Sequence, residues 1–134
     1  MILIVGATGI LGGMITQRLL AKGKEVRILV RENSPAEEMA MKRMATSPKI
    51  LIDAGAKPFY GDLKDKDSLI WACDGIETVI TTANSAMRGG DDNVDTVDRQ
   101  GNINLIDAAK SVGINQFIFV SFLGADVNHP VPLF

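Results

Sequence analysis

One cysteine, one histidine, one tryptophan and one tyrosine are all that 134 residues provide of the side chains most often recruited for metals, disulfides and stacking. Cys73 alone cannot close an internal disulfide, and it fits a metal-free chain in a reducing compartment. Basic residues are not in excess: 14 Lys and Arg face 16 Asp and Glu, for a net charge of −2. No positive field is therefore available for nucleic acid or an anionic membrane surface. The apolar runs are short pieces, well under the roughly 18 residues of a membrane span. Met1 leads straight into Ile2-Leu3-Ile4-Val5 with neither a basic n-region nor a small-residue cleavage site, so no signal peptide is expected. These absences point to a soluble cytoplasmic protein, with residues 1–134 as a single domain large enough for a real core.

What is present is a set of β-rich apolar runs: ILIV (2–5), EVRILV (25–30), KPFYG (57–61), ETVITTA (77–83) and QFIFVSF (116–122). Most are continuously apolar, as strands buried on both faces are. Helical segments separate them. The first, from about Ile10 to Lys22, places Leu11, Ile15, Leu19 and Leu20 on one stripe and ends at Gly23. The second opens with Ser34-Pro35-Ala36-Glu37, which reads as a capping box with proline at its first position. Met39, Met41 and Met44 are expected to form its pliable packing face, and Ser47-Pro48 interrupts it before Ile50–Ala54. A third covers about Lys66–Cys73, and a fourth about Asp95–Ser111. Strict strand–helix alternation predicts a doubly wound, open parallel α/β sheet of about five strands in the order 3-2-1-4-5. The Gly-rich acidic stretch 85–93 follows the fourth strand, at the sheet end where such folds place their ligands.

Four glycines crowd the first strand–helix junction, in LIVGATGILGGM (3–14). Glycine inside regular structure costs roughly 0.5–1 kcal/mol relative to alanine, so the cluster needs a compensating purpose. Gly6-Ala7-Thr8-Gly9-Ile10-Leu11-Gly12 is G-x-x-G-x-x-G between a strand and an amphipathic helix. A diphosphate needs backbone N–H donors, the positive end of a helix dipole and no Cβ in its way. The last glycine lets the helix approach the sheet. The junction is therefore read as a dinucleotide pyrophosphate site made by Gly6, Thr8, Gly9, Ile10, Leu11 and Gly12.

The end of the second strand sorts the dinucleotides. An acid there pairs with ribose hydroxyls, whereas an arginine accommodates a 2′-phosphate. Here the strand runs out at Leu29-Val30-Arg31, followed by Glu32. Arg31 favours NADP(H), and Glu32 leaves NAD(H) as a second reading.

With these residues in hand, the chain resembles the atypical short-chain dehydrogenases, and within them the NmrA-like group. The resemblance rests on GATGILG, on Arg31, on GDLKD (61–65) and on VDRQGNINLIDAAK leading into FIFVSFLGA. It implies a hydride-transferring reductase acting on a quinone or carbonyl-type small molecule, or a non-catalytic NADP(H) sensor acting through a protein partner. By resemblance, Asp62 and Leu63 flank the adenine. Thr81, Thr82 and Ala83 lie under the ribose and nicotinamide half, and Ser121 falls where many relatives place an active-site serine. Plainer roles stand beside these: Asp62 or Asp65 as a helix cap, the threonines as strand formers, Ser121 as a strand end.

Two departures stand out. Asp98 occupies a position where the broader family often has asparagine. The helical Tyr-x-x-x-Lys pair of that family, whose ammonium lowers the phenol pKa, is not found; Tyr60-Gly61-Asp62-Leu63-Lys64 has the spelling but not the helix. In the relatives a further helix, strand and substrate lobe follow, so the chain reads as the first five strands of a longer fold. Strand five would then be an exposed apolar edge, open to a second copy or to a protein partner.

Overall fold

Leu3 and Val5 lie on one face of a strand and Ile4 on the other, and this alternation divides the core in two. The computed structural model describes residues 1–42, 45–86 and 89–123. Among these, β1 (Ile2–Val5), β2 (Val26–Val30), β3 (Lys57–Tyr60), β4 (Thr78–Thr81) and β5 (Gln116–Phe119) form one parallel sheet. Their order is β3-β2-β1-β4-β5, the doubly wound order expected from the sequence. Ile4 sits opposite Ile28 on one side and Ile80 on the other, so the central strand is apolar in both directions.

Each face carries its own helices. Leu3, Val5, Leu29 and Val79 pack with Leu69 of α4 (Lys66–Ala72) and Leu105 of α5 (Asn102–Ser111). Ile4, Ile28 and Val30 pack with Ile15 and Leu19 of α1 (Ile10–Ala21) and Leu51 of α3 (Pro48–Asp53). Each fully buried Leu or Ile contributes about 1.5–3 kcal/mol, so neither layer is dispensable. The short α2 (Ala36–Met41) completes the set.

The helix ends follow local chemistry. Asp65 caps α4 by accepting from the N–H groups of Asp67 and Ser68, while Asp62 accepts instead from the Lys64 N–H. Gly23 closes α1 at φ +70, donating its N–H to the Leu20 carbonyl.

Three local expectations are corrected. Leu11 is not on the buried stripe of α1; it is exposed beside Ile10 at the helix start, and Ile15, Leu19 and Leu20 carry the packing. The Ser34 capping box does not form, because the Glu37 carboxylate is taken by the Ser47 hydroxyl and the Lys49 N–H. Ser47-Pro48 supplies the cap one helix later: the Ser47 hydroxyl accepts from Ile50 N–H, and Pro48 opens α3. Met41 is solvent-exposed rather than part of a packing face, and Met44 lies outside the described residues.

The fourth expected helix also begins differently. Val94–Gly101 is π-helical, and only Asn102–Ser111 is α-helical. A reciprocal cap fixes its start, with Asn93 accepting from Asp95 and Thr96 N–H while the Thr96 hydroxyl accepts from Asn93 N–H. The widened turn brings Asp98 and Asn102 to the end of β4. The Asp98 carboxylate accepts from Ser85 N–H at 2.9 Å, and the Asn102 amide oxygen accepts from the Thr81 hydroxyl at 3.1 Å.

Candidate functional site

The carboxyl ends of β1, β2 and β4 open onto a cleft of about 360 Å³ lined by Gly6, Thr8, Gly9, Arg31, Thr82 and Ala83, among others. Its floor is the β1–α1 turn. Gly6 has φ +86, and a Cβ there would stand 2.7 Å from the Thr82 hydroxyl oxygen and 2.8 Å from the Ala83 nitrogen. A Cβ on Gly12 would overlap the Gly6 carbonyl oxygen and stand 2.8 Å from the same hydroxyl. Neither position admits a side chain, because the helix start, the turn and β4 all meet there. The Thr82 hydroxyl donates to the Gly6 carbonyl at 3.3 Å and ties the end of β4 to the turn.

Helix α1 points its N-terminus at this floor. Gly9 is its N-cap and supplies no side chain to satisfy the first N–H groups. Gly13 makes the first return bond, to the Gly9 carbonyl at 2.8 Å. The N–H groups of Ile10, Leu11 and Gly12 thus lack intrahelical acceptors, as at every helix start. Uncapped donors, a 12-residue helix dipole and a floor without Cβ atoms are what an anionic diphosphate requires. The donor set fits a dinucleotide.

Arg31 stands at the end of β2 and lines both this cleft and a neighbouring one of about 410 Å³ that includes Glu32, Tyr60 and Asp62. Its guanidinium is ion-paired with the Asp92 carboxylate, which is only 12% exposed. The other oxygen of Asp92 accepts from the Lys64 ammonium at 2.7 Å. That hydrogen bond holds Lys64 above its ordinary pKa, against desolvation, which pulls the other way. Among the described residues two cations thus converge on one acid, brought in by the loop after β4.

The remaining sequence candidates spread around this centre. Asp62 and Leu63 sit together with Arg31 and Ala83 in a small recess between the β2 and β4 ends. Leu63 is buried, and its carbonyl accepts from the Asn104 side chain at 3.0 Å. Thr81 is fully buried with its hydroxyl on Asn102, so Thr82 and Ala83 are the members of that trio that face the cleft. Ser121 lies just past β5 and is exposed. Tyr60 ends β3 with its side chain exposed, and Lys64 follows beyond the Gly61-Asp62 turn. Cys73 is buried at the end of α4, and burial pushes its thiol up to about 11. His129 lies outside the described residues. Among the described residues no group of three or more His, Cys, Asp or Glu forms a metal cage, and no helix is long and apolar enough to cross a membrane.

Sequence reasoning missed Asp92, Lys64 as its partner, and Thr46. The Thr46 N–H donates to the Thr8 carbonyl at 2.7 Å, laying the segment before α3 against the glycine turn. No spacing rule links positions 8 and 46. The acidic character of stretch 85–93 was the one visible sign of Asp92.

Known proteins place this geometry. The chain is 40% identical over 133 residues to photosystem II assembly factor Ycf39 of Cyanophora paradoxa, covering 98% of this chain and 37% of that protein. It is 29% identical over 128 residues to phenylcoumaran benzylic ether reductase PT1 of Pinus taeda, covering 96% and 37% respectively. Among solved structures, the binary complex of leucoanthocyanidin reductase with NADPH from Vitis vinifera is similar at TM-score 0.68 and 27% identity, over 95% of this chain and 36% of that one. The chain therefore spans little more than a third of the length of these relatives. The model of the NmrA-like family matches residues 1–132. With the sheet order, the glycine turn and that match in agreement, the chain belongs to the NmrA-like family.

Proposed function

We propose that the chain is the NADP(H)-binding domain of an NmrA-like reductase, which in its complete form passes hydride to a quinone or carbonyl-type small molecule. The observation that carries this reading is Arg31: it stands at the mouth of the glycine-lined cleft with its guanidinium already on an anion. An arginine fork at the end of the second strand is the group that takes a 2′-phosphate. The similarity to a reductase bound to NADPH supports it.

In this reading the N–H groups of Ile10 and Leu11 receive the pyrophosphate, with Gly6, Thr8, Gly9 and Gly12 leaving it room. Arg31 takes the 2′-phosphate, and Asp62 and Leu63 border the adenine. Thr82 and Ala83, held by Thr81 beneath them, carry the ribose and nicotinamide half. Ser121 is the candidate group nearest the chemistry. The nicotinamide supplies the hydride, and the protein supplies position and electrostatics.

A second reading, a sensing module that acts through a protein partner, is favoured by one observation. Phe119, the last residue of β5, and Val120 and Phe122 just past it are 48%, 38% and 45% exposed. The name of the Cyanophora relative, an assembly factor, points the same way. The two readings separate in solution. A reductase consumes NADPH with simple quinones or carbonyl compounds once the full-length protein is supplied. A sensor consumes none and binds NADP⁺ and NADPH with different affinities, because a ligand shifts a state only through differential affinity. Equal binding without turnover would defeat both.

A further inference from the structure

The carboxylate between Arg31 and Lys64 is held in place by the fold. Asp92 closes a turn in which its N–H donates to the Gly89 carbonyl at 3.3 Å. The Thr96 hydroxyl donates to the neighbouring Asp91 carbonyl at 2.6 Å and fastens that turn to the start of the π-helical segment. The turn thereby delivers one negative charge to a point reached by two positive ones from different strand ends, Arg31 after β2 and Lys64 after β3. Among the described residues two ion-paired cations face this one carboxylate, and a phosphate monoester at neutral pH carries about −1.5 to −2. Asp62 also acts on Lys64, and Glu32 neighbours Arg31, but neither is ion-paired with these cations here.

From this juxtaposition we infer that Lys64 is the second cation of the 2′-phosphate seat beside Arg31, and that Asp92 occupies the seat until the phosphate of the dinucleotide displaces it. The inference rests on the NADP(H) reading above and deepens it. Asp92 then works against NADPH and is indifferent to NADH. A 2′-phosphate must break two ion pairs before it makes its own, whereas a ribose hydroxyl has no need of the cations. The residue acts as a brake on selectivity, and displacing it frees the 89–93 turn to move as the phosphate arrives.

The experiment uses the adenosine half alone. Wild type, Lys64→Gln, Lys64→Arg and Asp92→Asn are titrated with 2′,5′-ADP and with 5′-AMP by calorimetry, with a thermal melt of each to confirm folding. The wild type should favour 2′,5′-ADP. Lys64→Gln should lose roughly three- to tenfold in 2′,5′-ADP affinity, and less than about twofold for 5′-AMP, in line with a partly exposed ion pair. Lys64→Arg should keep the wild-type preference. Asp92→Asn should bind 2′,5′-ADP roughly three- to tenfold tighter with 5′-AMP unchanged. A wild-type preference left undiminished by Lys64→Gln, or an Asp92→Asn that binds 2′,5′-ADP no better or more weakly, overturns this inference and leaves the NADP(H) reading standing. A wild type with no preference at all overturns both.

Discussion

Gly13 and Thr46 are in contact across a gap that admits no side chain: a Cβ on Gly13 would overlap the Thr46 hydroxyl oxygen and stand 2.6 Å from the Thr46 Cβ. The fourth glycine of the cluster thus serves the fold, letting the segment before α3 lie against the turn. In an open helix Gly→Ala gains about 1 kcal/mol, but overpacking a close contact costs about 1–3 kcal/mol. Gly13→Ala should therefore lower stability in urea unfolding, and adding Thr46→Gly should recover most of the loss. A stabilised Gly13→Ala would show that the contact is absent.

The buried pair Thr81 and Asn102 fixes the end of β4. Besides accepting from Thr81, the Asn102 side chain donates to the Asp98 carbonyl at 2.9 Å and to the Val97 carbonyl at 3.4 Å. Asn102→Ala should cost about 1–3 kcal/mol, since it strands a buried hydroxyl and helix carbonyls. Thr81→Val combined with it should cost less than the sum of the two single changes. Strict additivity in denaturant titrations would mean the two residues are uncoupled.

Cys73 should be inert at neutral pH. Its thiol titrates at about 11 in the fold against an ordinary 9.0, with burial as the main cause and Arg27 opposing it weakly. Between these values the unfolded chain has lost the proton and the folded chain has kept it, so stability should fall as pH rises from 9 towards 11. Thiol labelling at pH 8 should be slow in the native protein and fast in denaturant. Rapid native labelling would contradict the buried placement.

The β5 edge should drive self-association. It pairs with β4 on one side only among the described residues, and Phe119 is 48% exposed. An uncovered apolar edge templates pairing with another chain. Sedimentation velocity should show larger species as concentration rises, and Phe119→Lys should return the protein to a monomer. A wild type that stays monomeric at high concentration would remove this interface and weaken the partner-binding reading.

Much of the fold was legible because it depends on local pattern. ILIV is apolar throughout, VRILV everywhere but Arg27 and TVIT at its two central positions, and the glycines and Asp65 mark where helices stop and start. What failed depends on competition between distant groups. Ser34-Pro35 and Ser47-Pro48 spell similar helix starts, and both open a helix, but Glu37 binds across to Ser47 and Lys49 instead of completing a box with Ser34. The π-helical start of the last helix arises from caps at Asn93 and packing at Asn102, which 3.6-residue periodicity does not register. At the site, the glycine turn and Arg31 were readable from one junction each. Asp92 was not, because it meets Arg31 and Lys64 across 61 and 28 residues of chain. Lys64 was visible only as half of a misleading spelling.

The central claim is that the cleft beside the glycine turn selects a phosphorylated dinucleotide through Arg31. The most direct measurement is a parallel titration of the purified chain with NADPH and NADH, followed by nicotinamide fluorescence or calorimetry, with Arg31→Ala alongside. The expected result is tighter binding of NADPH, with Arg31→Ala erasing most of the preference, a loss of roughly 10–100-fold for a charge-assisted fork onto phosphate. Equal affinities for the two cofactors, or a preference that survives Arg31→Ala, would contradict it.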